Sequence, residues 1–404
     1  MNHRDLAIVW LFASALVLPL AGEATMALYL LVMLALLAAA PWRQQAAPAW
    51  PWRALWLPAV AIGSITLVKL LSMLWSLSPP QSLRNAATHL HFVFFLPLAL
   101  GFWRARQPLD ALLRGVRLAS IGLLAWSIWF WWRNGIGFDA MVRLEAGAQN
   151  AGVLGQLAGV QALWLAWHWR CQPRWGHLAW ALTAMVPVLA AGGRSHVSVV
   201  LIGWVLITAL VCRDRRSWAG RIATASVATL LLGVLVFAIS PRMEVAWIEA
   251  IDYGSTPETS VGTSVGNRIG LWDAARHAFP HAPWLGFGAG TSREVVAQYT
   301  PLEDDHFAVT SHYHQQLLQV VMETGLIGLA LCLWALVGLS RWFYARRAAH
   351  PFLWPGYVWL VFSTALVGMF TGSLQQGLLH SYIVATLAVL AAQALHAPSP
   401  SRTA

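Results

Sequence analysis

The sequence predicts an all-α polytopic membrane protein of about twelve transmembrane helices with one long, partly helical periplasmic (or otherwise external) loop. Three observations carry that expectation: composition, recurring apolar segments and the placement of arginines. The 404-residue chain is 58% hydrophobic and only 10% charged, whereas a soluble domain carries about a quarter charged residues. Apolar segments such as LAIVWLFASALVLPLAG and LWLPAVAIGSITLVKLL recur from end to end. Segments near 20 residues match a hydrocarbon core of about 30 Å.

The expected spans are 6–22, 24–40, 55–75, 89–103, 109–132, 149–168, 176–193, 196–212, 222–240, 318–340, 353–371 and 379–396. The first is followed directly by further spans and lacks a small-residue cleavage site, so it reads as a retained helix. With a cytoplasmic N-terminus, seventeen arginines fall inside; Arg84, Arg133, Arg143, Arg194, Arg242, Arg268, Arg276 and Arg293 fall outside. Basic residues concentrate in cytoplasmic loops, so both termini are expected there. A net charge of +10 would suggest nucleic acid in a soluble protein, but topology accounts for most of these arginines and no nucleic-acid partner is expected. Cys171, Cys212 and Cys332 lie in or beside spans without metal-ligand spacing and read as core residues. The chain then divides into residues 1–240 (helices one to nine), 241–317 (a large periplasmic loop carrying part of the active site) and 318–404 (helices ten to twelve and a cytoplasmic tail).

A loop that long in a compact protein is usually functional or disordered. It holds nine acids, four arginines and five histidines. NRIGLWDAARHAF has helical periodicity, with Ile269, Trp272, Ala275, Ala278 and Phe279 along one side. The helix is expected to stop near PHAP, followed by a flexible turn at LGFGAG, with DYGSTPETSVGTSVG as the mobile part.

Candidate chemistry clusters where this loop returns to the tenth span, at TSHYHQQLLQVVMETGLIGL. A helix beginning near Ser311 would align His314, Leu318, Val321, Gly325 and Gly328 on one face, with the glycines permitting close helix contact. An interfacial histidine can simply bond a loop carbonyl. An imidazole with a pKa of about 6.5 can also accept a proton at neutral pH. Glu323 and the acidic run at 303–305 are possible orienting carboxylates, although Glu323 cannot reach His314 along one straight helix. Arg194, in AAGGRSHVSVV, sits between two spans with almost no loop, a placement costly enough to suggest function. Arginine forks bind phosphate oxygens bidentately, and Arg143, Arg194 and Arg268 around one external pocket would suit a lipid-linked pyrophosphate. Contact with lipid headgroups accounts equally well for any one of them. EDDH at 303–306 could hold a hard divalent cation or form an exposed acidic loop, and the second reading is preferred. Lys69 and Arg84 either line a substrate path or serve topology and packing.

These residues resemble the bacterial O-antigen ligases, within a superfamily that includes O-antigen polymerases and O-oligosaccharyltransferases. The most specific match is a histidine followed by Asn, Ser or Gln, then nine residues, a glycine, two residues and a glycine or a near substitute: here His314, Gln315, Gly325 and Gly328. Arg268, Trp272, Gly286, Gly288 and Gly290 resemble the loop pattern, GGRS with Arg194 the arginine-bearing span junction, and Arg143 with Asn150 the outer-loop segment. The HYH sequence departs from relatives that often carry one histidine, so His312 is a second candidate for the same role.

The resemblance implies a glycosyltransferase-C-like enzyme of the bacterial inner membrane that moves O-antigen polysaccharide from undecaprenyl pyrophosphate to a sugar hydroxyl of lipid A–core. Transfer would occur at the periplasmic face with inversion, without metal, nucleotide or other cofactor. His314 would act as base, with His312 as the other catalytic candidate. Arg194, Arg268 and Arg143 would hold the pyrophosphate. Gln315, Trp272, Asn150, Lys69 and Arg84 would support. A laterally open cavity among membrane lipids would admit both substrates. An O-antigen polymerase or protein O-oligosaccharyltransferase is the alternative. A lipid-linked-sugar transporter, which would show internal repeats and mid-membrane charges, fits less well.

Overall fold

The computed structural model describes residues 2–18, 51–134, 143–148, 150–172, 174–211, 245, 248–249, 251–252, 263–300, 312–369 and 377–396. Within them the helices are α1 (His3–Ser14), α2 (Trp52–Leu71), α3 (Pro79–His89), α4 (Phe95–Trp103), α5 (Pro108–Asn134), α6 (Ala151–Cys171) and α7 (Trp175–Ala190). They continue as α8 (Arg194–Val211), α9 (Ser264–Ala278), α10 (Ser292–Tyr299), α11 (Gln316–Ala345), α12 (Leu353–Gly368) and α13 (Gly377–Ala394). No strand occurs among the described residues. Among the described residues five segments are long and apolar enough to cross a membrane: Trp52–Trp75, Pro79–Trp103, Pro108–Asn134, Gln316–Ala345 and Gly377–Ala394. Trp175–Ala190, Ser195–Ile207 and Leu353–Gly368 are shorter apolar helices. The expected spans at 24–40 and 222–240 lie outside the described residues, as do EDDH and residues 253–262 of the Gly/Ser/Thr-rich stretch; its end, expected to be mobile, instead caps and begins α9 at Thr263 and Ser264.

The helices form one large apolar core in which α13 is buried from Leu378 to Ala394 and α6 from Ala151 to Ala166 but for Gly152. Small residues set the closest approaches, as expected where helices associate within lipid. Gly155 and Gly159, one turn apart on α6, face His196 and Val200 of α8; a Cβ on either would stand about 3 Å from those side chains. This contact fixes the start of α8, where Arg194 lies.

The long loop has a core of its own. Leu271, Ala274, Ala275 and Ala278 of α9 pack with Phe287, Val295 and Val296, with Tyr313 and with Met322 of α11. The buried stripe of α9 is therefore rotated from the expected one: Trp272 is half exposed and Leu271 and Ala274 point inward. The helix ends at Ala278 and passes into a short 3₁₀ turn over Phe279–His281, as PHAP suggested.

Candidate functional site

The strap His312–Tyr313–His314 is held by its middle residue. Tyr313 is fully buried. Its N–H donates to Gln319 Oε1 at 3.0 Å and its carbonyl accepts from Trp272 Nε1 at 2.9 Å. With Tyr313 plugged into the loop core, the flanking histidines come together, their ring centroids 4.2 Å apart. His314 has φ 53°, in the left-handed region, where non-glycine residues are uncommon. The chain turns there into α11, which begins at Gln316. Gln315 is its N-cap, its side chain accepting from the Leu318 N–H, so the polar residue after the histidine terminates the strap. This corrects the expectation of a helix from Ser311: His314 precedes the helix and does not share a face with Leu318 or Gly325.

The histidines sit in a partly dry, positively biased environment. Burial, the neighbouring His312 and the guanidinium of Arg268 on α9 push His314 down to about 4. Burial lowers His312 as well. Both rings are therefore neutral at pH 7, the form that accepts a proton.

Behind the strap, α11 is broken. Gly325 adopts φ 66°, ψ −169°, and the segment 283–288 occupies the gap. Leu326 N–H donates to Pro283 O (2.9 Å) and Ile327 N–H to Trp284 O (3.2 Å); Phe287 N–H donates to Met322 O (2.8 Å) and Gly288 N–H to Glu323 O (3.0 Å). The backbone groups released by the break are thus satisfied. The other side of this Gly-rich turn docks on Ser72, just after α2, and on α3: Ser72 Oγ accepts from Ala289 N–H at 3.0 Å, and Ser82 Oγ donates to Ala289 O at 2.6 Å. LGFGAG, expected to be flexible, is a wedge buried from Gly286 to Gly290.

Glu323, just before the break, forms a buried ion pair with Lys69 of α2. Its Oε1 also accepts from Gly290 N–H and from Gln319 Nε2, each at 2.7 Å. Lys69 is 4% exposed and Glu323 1%, so the ammonium faces a protein carboxylate. Glu323 reaches the strap through Gln319, not by contact with His314.

Arg143 and Asn150 belong to different elements. Arg143 is exposed and lies within electrostatic reach of His196 on α8. It lines an open cavity of about 750 Å³ together with Trp126, Trp129, Arg133, Glu145 and Asn150. Asn150 caps α6, its Oδ1 accepting from Gly152 and Val153 N–H at 2.8 and 3.2 Å. Arg194 begins α8, and Arg84 is exposed on α3. The structure thus assembles Arg268, Trp272, His312 and His314 around one strap, and groups Arg143 with His196 and the α6 N-terminus.

Sequence reasoning missed Gln319, the Lys69–Glu323 pairing and a buried cluster of His89, His91 and His380. Among the described residues no group of three or more His, Cys, Asp or Glu is arranged to hold a metal ion. Residues 178–333 match the family model described as O-antigen ligase. That segment runs from α7 into α11 and contains Arg194, Arg268, Trp272, both strap histidines and the two motif glycines. No curated protein matches the chain.

Proposed function

We propose that this chain, an O-antigen ligase-family protein through residues 178–333, transfers O-antigen polysaccharide from undecaprenyl pyrophosphate to a sugar hydroxyl of lipid A–core. The reaction takes place at the periplasmic face of the inner membrane, with both termini in the cytoplasm. The acceptor hydroxyl attacks the anomeric carbon as the pyrophosphate departs, inverting that centre, and needs no metal. His314 removes the hydroxyl proton. Arg268, with Arg194 and Arg143, neutralises the leaving pyrophosphate.

The observation that carries this reading is the strap that anchors His314 against His312 and near Arg268, where burial and the guanidinium lower the ring's pKa. A base must be unprotonated when the acceptor arrives, and burial beside a cation keeps it so. A ring whose pKa lies near 4 is a weak base in the free protein. An incoming pyrophosphate offsets the Arg268 charge and raises the affinity of His314 for a proton as the transition state forms, which is the differential stabilisation that catalysis requires.

The test is transfer from undecaprenyl-pyrophosphate-linked glycan to lipid A–core by purified protein in excess EDTA, comparing wild type with His314→Ala and His312→Ala. Wild-type activity in EDTA, lost in His314→Ala, is expected. Full activity in His314→Ala moves the base to His312. Activity that needs added Mg²⁺ or Mn²⁺ overturns the metal-independent scheme, and extension of the lipid-linked glycan in place of transfer to lipid A–core moves the assignment to a polymerase.

A further inference from the structure

The left-handed turn at His314 follows directly on Tyr313, which side chains farther along the chain hold in place. Tyr313, one residue before it, is pinned by Gln319. Gln319 Nε2 donates to Ser292 Oγ at 2.8 Å and to Glu323 Oε1 at 2.7 Å. Glu323 is in turn neutralised by Lys69. Gln319 and Glu323 are 0% and 1% exposed, and a charged pair so dry is costly to maintain. Buried ion pairs can often be replaced by apolar residues without loss of stability, so packing alone does not account for this one.

The hydrogen-bond inventory offers a reason. A glutamine amide has a donor end and an acceptor end, and an amide flip would present NH₂ to the Tyr313 N–H and release the strap. An ionised carboxylate only accepts. Glu323 therefore compels the amide to point its NH₂ inward, leaving Oε1 toward Tyr313. Lys69 pairs with the other carboxylate oxygen, so Glu323 meets a cation on one side and the Gln319 amide on the other.

We propose that Glu323, neutralised by Lys69, is a positioning residue for the base: it orients the Gln319 amide, which holds Tyr313 and with it the left-handed backbone of His314. This rests on the reading of His314 as the base. A misplacement of about 1 Å at a reacting group costs on the order of 10²-fold in rate.

Two variants avoid leaving an unpaired buried charge: Gln319→Met, and Lys69→Met combined with Glu323→Met. Each is measured for kcat and for KM toward both lipid substrates. The rate at which diethyl pyrocarbonate modifies His314 is followed by peptide mass in the same folded protein. Both variants are expected to lose about 10²-fold in kcat with KM held within about threefold, while His314 becomes more reactive. Unchanged His314 reactivity in folded variants, or a loss confined to KM, overturns the positioning role. Raised reactivity with undiminished kcat supports the positioning and overturns the assignment of His314 as base.

Discussion

Replacing Gly325 with alanine tests whether the break in α11 organises the site. At φ 66°, ψ −169° the residue occupies a region open essentially to glycine alone, where another residue costs about 1–3 kcal/mol. A Cβ there would stand 2.1 Å from the Trp284 carbonyl carbon and oxygen and 2.4 Å from Leu285 N. These are backbone atoms, so the whole 283–288 segment must retreat. It would take with it the bonds Leu326 N–H to Pro283 O, Ile327 N–H to Trp284 O, Phe287 N–H to Met322 O and Gly288 N–H to Glu323 O. At roughly 1 kcal/mol each, and with the backbone strain added, the loss is on the order of 5 kcal/mol. For a chain of this size that lowers the melting midpoint by about 5–10 °C. The assay is thermal unfolding in detergent, followed by tryptophan fluorescence. Gly338→Ala in the same helix is the control, since a Cβ there meets nothing within 4 Å. If Gly325→Ala melts together with Gly338→Ala, the clamp does not hold the break and the account of the Gly-rich wedge fails.

Other expectations follow from the site's electrostatics and caps. The folded pKa of His314 is about 4, below its unfolded value near 6.5, so the unfolded chain takes up the proton first. The neutral ring's contribution is complete above pH 6.5, is lost as pH falls from about 6.5 to 4, and amounts to at most about 3 kcal/mol, less for its solvent-touched share; His314→Gln should flatten that part of a stability-versus-pH curve. Arg268→Ala removes a cation that depresses His314, so the acid limb of kcat/KM should move to higher pH, and an unmoved limb would separate the two residues. Asn150→Ala should cost about 1 kcal/mol through loss of the α6 cap, with Asn150→Ser restoring it and transfer per folded molecule unchanged in both. A fall in kcat for Asn150→Ser would show that Asn150 does more than cap.

The parts of this protein that could be read from its sequence are those governed by local rules. Apolar segment length located most of the described helices, and the helical character of α9 and its stop at PHAP were evident from local pattern, although its buried face was misassigned at Ile269 and Trp272. Gly325 and Gly328 were recognisable as positions of close approach, but the direction was misjudged. Gly328 accommodates Thr324 of its own helix, while Gly325 admits the 283–288 segment into a break that no helical period encodes. The helix start was misplaced because His312 and Tyr313 could equally have begun a helix; only the Gln315 cap and the anchoring of Tyr313 by Trp272, 41 residues away, exclude that. The Lys69–Glu323 pair spans more than half the chain and lay beyond any periodicity argument. A signal for it existed: Lys69 is the single lysine and lies in an apolar segment, and Glu323 is an acid inside another. Each charge in such a place demands a partner, and the simplest solution is that they neutralise one another. That solution also takes up the charge by which the lysine would otherwise attract an anion. A cation committed to a buried carboxylate has little left to offer an anion, so under the proposed function the pyrophosphate falls to arginines in the loops and at helix ends.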